Sequence, residues 1–164
     1  MGAVTLEQVR SVAAPSLYPR RVLEGCESAL VLFSAAFHGQ QDAVWIAEAG
    51  LTAECVDSDA VKVAEMVYAY PAGWIHTVAD VFEYAARAAR LGMRWDVVSL
   101  DPPSNLFVRC AFMLPLWCQL ARKAVVLGCE GRDLAAVPDG WQETERLRRS
   151  HFLGGVYWAV FEPC

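Results

Sequence analysis

Five apolar runs of strand length recur along the chain with helical segments between them, and that alternation limits the fold more than any other feature. The runs are "ALVLF" (29–33), "TAECV" (52–56), "WIHTV" (74–78), "WDVVSL" (95–100) and "KAVVLGC" (123–129). Strands joined through helices run parallel, because each crossover carries the chain back to the edge from which it started. The intervening segments fit that role. "GQQDAVWIAEAG" sets Val44, Ile46 and Ala47 on one helical face and stops at Gly50. Asp57, Ser58 and Asp59 form a cap-rich start to "AVKVAEMVYAY", which Pro71 terminates. "ADVFEYAARAARLG" is alanine-rich, with Arg87 and Arg90 on its polar side and Gly92 as its stop. "LFVRCAFMLPLWCQLA" predicts one helix bent near Pro115. Beyond the fifth strand, "WQETERLRRS" and "VYWAVFEP" flank "HFLGG" and read as an antiparallel hairpin. The expected fold is α/β: a three-layer sandwich with a mostly parallel seven-stranded sheet, helices on both faces and a C-terminal hairpin. The 164 residues are expected to form a single domain, with residues 1–24 as an N-terminal extension holding a short helix near Thr5 to Val12.

Composition narrows the functional classes. An apolar content of 55% supports a substantial core, yet no run approaches the roughly 20 residues of a membrane span, so a cytoplasmic protein without a membrane is expected. The net charge of −5 argues against a broad basic face for phosphates, although Arg20 and Arg21, and again Arg146, Arg148 and Arg149, gather locally. Six cysteines form no CxxC pair and several sit inside apolar runs, so neither a metal site nor a disulfide framework is expected. The six tryptophans and Phe112 fall mostly at apolar periodic positions and read as core.

The carboxylates at the strand ends carry the functional signal. Asp57, Asp80 and Asp101 lie at or just beyond the ends of the second, third and fourth strands. Parallel strands bring all three acids to one edge of the sheet, which in open α/β sheets holds the ligand crevice. Asp57 is then placed to accept from a ribose diol and Asp80 from an exocyclic amine. "DVVSLDPPSNLF" ends the fourth strand on Asp101 and stiffens the next turn with Pro102 and Pro103. Asp101 is thereby positioned to take a hydrogen bond or a proton from a reacting amino group, with the Asn105 amide nearby. His38, in a loop without an identified partner, reads more often as a polar surface group than as a base or cofactor contact, and Cys129 as an inert structural thiol rather than a nucleophile.

In this order the features resemble a class I S-adenosylmethionine-dependent methyltransferase. "ALVLFSAAFHGQQDAVWIAEAGL" looks like that family's first strand, loop and helix, "CVDSD" like its acidic second motif, and "VADVFEY" like the segment near the adenine. "LDPPSN" is similar to the D/N-P-P-aromatic motif of amino-methyltransferases acting on nucleic-acid bases. The resemblance implies S-adenosyl-L-methionine as cofactor, held by Phe33, Ser34, Ala35, His38 and Gly39 at the methionine part. It also implies Asp57 and Ser58 at the ribose and Asp80 and Val81 at the adenine. Catalysis would fall to Asp101, Pro102, Pro103 and Asn105, on an amino group of DNA or RNA. Two departures are visible: Ala35 and Phe37 stand where glycines are expected, and Ser104 stands where an aromatic is, with Phe107 as the nearest substitute. They leave open a binding or scaffold protein without catalysis, and the acidic charge leaves open a small-molecule acceptor. A compact enzyme without a recognition domain is expected to borrow surface from a second copy or another protein.

Overall fold

The computed structural model describes residues 17–35, 40–131, 136–149 and 156–164. Its seven strands are β1 (Ser28–Leu32), β2 (Thr52–Asp57), β3 (Ile75–Val78), β4 (Trp95–Leu100), β5 (Ala121–Glu130), β6 (Trp141–Arg148) and β7 (Val156–Pro163). They form one sheet in the order β3-β2-β1-β4-β5-β7-β6. The first five strands pair in parallel, while β7 is antiparallel to both β5 and β6. Strand order reverses between β1 and β4, the switch point at which parallel sheets open a crevice at their carboxyl edge.

Period-two alternation sends successive side chains to opposite faces and so builds two cores. On one face Leu30, Leu32, Val98, Leu100, Val125 and Leu127 meet α3 (Val81–Arg90), α4 (Phe107–Phe112) and α5 (Leu114–Leu120). Trp117 of α5 is fully buried there, and its indole N–H donates to the Cys110 carbonyl at 2.9 Å. On the other face Val31, Val97, Val126 and Val160 meet α1 (Gln40–Glu48), Met66 of α2 (Ala60–Met66) and the 3-10 turn Arg20–Leu23. Trp158 of β7 is buried on that side, edge-on to Tyr18 at 5.2 Å. Replacing either tryptophan by alanine removes a large apolar surface and costs about 3–5 kcal/mol.

The structure corrects three expectations. The segment 106–121 is not one bent helix: α4 ends at Phe112, Met113 breaks the path, and Pro115 sits in the first turn of α5, where a missing N–H costs nothing. Phe112 is not core, since it is 69% exposed at the end of α4. Phe107, considered as a stacking residue, is 5% exposed and packs inward. The helix expected near Thr5 to Val12 lies outside the described residues, as do Phe37, His38 and Gly39. Among the described residues no helix is long and apolar enough to cross a membrane.

Candidate functional site

Asp57, Asp80 and Asp101 all stand at the carboxyl edge of the parallel strands, as the last residue of β2, the N-cap of α3 after β3, and the first residue after β4. Their environments differ sharply. Asp57 is 7% exposed. Its Oδ2 accepts from the Ala35 N–H at 3.0 Å and its Oδ1 from the Asp59 N–H at 2.9 Å. The carboxylate therefore ties the turn after β1 to the turn after β2. A carboxylate has about four acceptor positions, so two remain beyond these bonds. Asp80 is exposed, and its Oδ1 caps α3 by accepting from the Glu83 N–H at 2.9 Å. Val81 behind it is buried, and Ser58 is exposed.

The turn after β1 is tight. Phe33 adopts φ 60, the only non-glycine residue in the left-handed region among those described, so that conformation falls on Phe33 and not on Ala35. Its ring is buried edge-to-face against Phe82 of α3, with centroids 6.0 Å apart. Ser34 and Ala35 are buried beside it, and the Ser34 N–H donates to the Val56 carbonyl at 3.3 Å. The Arg109 guanidinium of α4 lies 3.7 Å from the Phe82 ring centroid, capping the aromatic pair.

Asp101 occupies a different setting, for it is fully buried on the sheet face that carries Trp158. Arg149, just beyond β6 and also buried, reaches it with both terminal nitrogens: Nη2 donates to Oδ2 at 2.6 Å, and Nη1 stands 2.6 Å from Oδ1. The guanidinium also lies 4.7 Å from the Trp158 ring. Gly128 makes the approach feasible, because a Cβ there would stand 3.2 Å from Asp101 Oδ1 and 3.5 Å from Arg149 Nη1. A second buried carboxyl, Asp42 of α1, accepts from the Ser99 hydroxyl at 2.8 Å, and Ser99 in turn hydrogen-bonds the Tyr18 hydroxyl at 3.0 Å. Burial pushes Asp101 up to about 6 against the pull of Arg149. Burial, and then the Asp101 charge, raise Asp42 as well.

The rest of the turn faces outward: Pro103, Ser104 and Asn105 are exposed while Pro102 is buried. Residues 104–106 form a 3-10 turn, closed by the Leu106 N–H donating to the Pro103 carbonyl at 2.9 Å. Cys129 is buried at the end of β5. Asp42, Ser99, Tyr18 and Arg109 were not legible as site residues in the sequence. Arg149 was visible only as part of a basic run, and its partner lies 48 residues away.

No protein-family model matches the chain, and no curated protein sequence does. Among solved structures, TrmN from Thermus thermophilus superposes with a TM-score of 0.62 at 18% identity, over 99% of this chain and 50% of that one. A candidate methyltransferase, SMU.776, complexed with SAH gives 0.64 at 13% identity, over 97% and 50%. A candidate RNA methyltransferase, PH1948 from Pyrococcus horikoshii, gives 0.58 at 15% identity, over 96% and 81%. The chain thus spans half the length of the first two. At these identities the likeness is one of fold, and the chain has the Rossmann-like fold of S-adenosylmethionine-dependent methyltransferases.

Proposed function

We propose that the chain is an S-adenosylmethionine-dependent methyltransferase acting on an amino group of a nucleic-acid base. The observation that carries this reading is the carboxyl edge itself, where Asp57 and Asp80 stand on one side of the β1/β4 switch point and the Asp101–Asn105 turn on the other. A nucleoside-bearing donor lying across β1 and β2 then faces an acceptor at the end of β4. The residues are consistent with the cofactor: Asp57 keeps acceptor capacity for a ribose diol, and exposed Asp80 is placed toward the adenine with Val81 packed behind it. Phe33, Ser34 and Ala35, in the turn after β1, are assigned to the methionine side.

When bound, the cofactor supplies a methyl group already activated on a sulfonium. The chain's task is mainly positioning, which aligns the amine with the methyl–sulfur bond. The turn of Pro102, Pro103 and Asn105 forms the acceptor side, with the Pro102 carbonyl placed to accept from an amine N–H. A neighbour described as a candidate RNA methyltransferase favours RNA as the acceptor polymer.

A non-catalytic binding protein is the second reading, favoured by the buried Phe33 ring at φ 60 where bare backbone would leave more room. Isothermal titration with S-adenosylhomocysteine, followed by methyl transfer from labelled S-adenosylmethionine to RNA and DNA pools, separates the two. Micromolar binding with label in nucleic acid supports the enzyme. Absence of heat at millimolar ligand sinks it.

A further inference from the structure

Asp101 is the acid that a methyl acceptor would be expected to meet, yet its carboxylate is fully enclosed and held by both nitrogens of Arg149. The pair is built in from several sides. Gly128 leaves the space, Trp158 supports the guanidinium, and main-chain bonds from the Leu17 N–H to the Arg149 carbonyl (2.8 Å) and from the Arg149 N–H to the Val156 carbonyl (3.0 Å) fix the arginine backbone. A fully enclosed carboxylate held in a close ion pair is out of reach of a substrate amine, whatever its basicity.

We propose that Arg149 is a positioning residue: it draws the Asp101 carboxylate to the sheet face that carries Trp158 and so fixes the Pro102–Asn105 turn, leaving the Pro102 carbonyl to hold the amine. The inference rests on the methyltransferase reading above and reassigns the carboxylate within it. Transfer to an amine forms an N–C bond and breaks the methyl–sulfur bond, with its electron pair going to sulfur. The nitrogen then loses a proton, which passes to solvent water because the carboxylate is engaged. The acceptor must therefore arrive neutral, as an exocyclic amine of a heterocycle does and an alkylammonium does not.

The test compares Arg149→Met with the double variant Asp101→Leu/Arg149→Met. Removing the arginine alone strands a buried carboxylate, whereas replacing both partners by apolar groups restores a packed pair. Arg149→Met is expected to lower turnover on an RNA pool at least tenfold, with the S-adenosylhomocysteine Kd within threefold of wild type. Exchange at the Leu106 amide should rise at least tenfold more than at Ala85 in α3. The double variant is expected to regain a tenth or more of wild-type turnover and to slow Leu106 exchange again. A carboxylate that touches the amine cannot give that rescue, so a double variant no better than the single overturns the proposal. Should Arg149→Met fail to fold, the double variant alone decides, by whether it keeps a tenth of wild-type turnover. A wild type that modifies no acceptor defeats the methyltransferase reading instead. The Leu106 comparison still judges the positioning claim, which falls if Leu106 and Ala85 respond alike.

Discussion

Asp57→Asn tests whether one carboxylate both ties the two turns together and reserves acceptor positions for a ribose. In the wild type each oxygen accepts one backbone N–H, from Ala35 at 3.0 Å and from Asp59 at 2.9 Å, in a setting only 7% exposed. An asparagine keeps one carbonyl acceptor and turns its amide nitrogen toward the other donor. One charge-assisted hydrogen bond is lost and a buried N–H faces a donor, which together cost about 2–3 kcal/mol. Urea unfolding at pH 7 should therefore show a fall of that size at unchanged slope. The diol loses at least one charged acceptor, worth about 2 kcal/mol, so S-adenosylhomocysteine should bind roughly 30-fold more weakly. Calorimetric titration of the folded variant reads this directly. An unfolding free energy within about 0.5 kcal/mol of wild type would show that the carboxylate does not tie the turns. Unchanged affinity would remove Asp57 from the cofactor site.

Two further outcomes concern the buried pair. Asp42 and Asp101 both have carboxyl groups raised above the ordinary range, Asp101 to about 6, so between about pH 4 and 6 the native state holds protons that the unfolded chain has released. That contribution is complete below the unfolded value and is lost as pH rises through the folded one, at about 1.4 kcal/mol per pH unit for each proton. The stability of wild type relative to Asp42→Asn should therefore fall as pH rises above about 4 in parallel urea titrations, and a rise would contradict the sign. Gly128→Ala places a methyl 3.2 Å from Asp101 Oδ1 and 3.4 Å from the Leu100 carbonyl, against a pair with little room to give. A loss of about 1–3 kcal/mol by thermal or urea unfolding is expected, and a neutral variant would mean that the pair relaxes freely.

The five parallel strands were legible as apolar runs bounded by turn or cap residues, and "WDVVSL" coincides with β4 residue for residue. The α3 segment was equally clear, with Asp80 as its cap and Gly92 just beyond its end. Legibility failed where a local pattern had two outcomes. Phe112 shares the apolar character of its neighbours but falls on the outer side of α4, and only the placement of α4 on β5 decides which side that is. Met113 broke what periodicity alone joined into one helix.

The sequence by itself determined the alternation of strand and helix, hence the parallel sheet, and with it the arrival of Asp57, Asp80 and Asp101 at one edge. Those follow from local preference and chain direction, which need no knowledge of distant partners. Only the tertiary structure decided what each acid meets there. Asp80 stays at the surface, Asp57 binds two turns together, and Asp101 disappears beneath Arg149, a residue 48 positions away. Pairing across that separation depends on β7 inserting between β5 and β6, because this order carries the end of β6 back over Gly128 and Trp158. No residue pattern within either segment encodes that meeting.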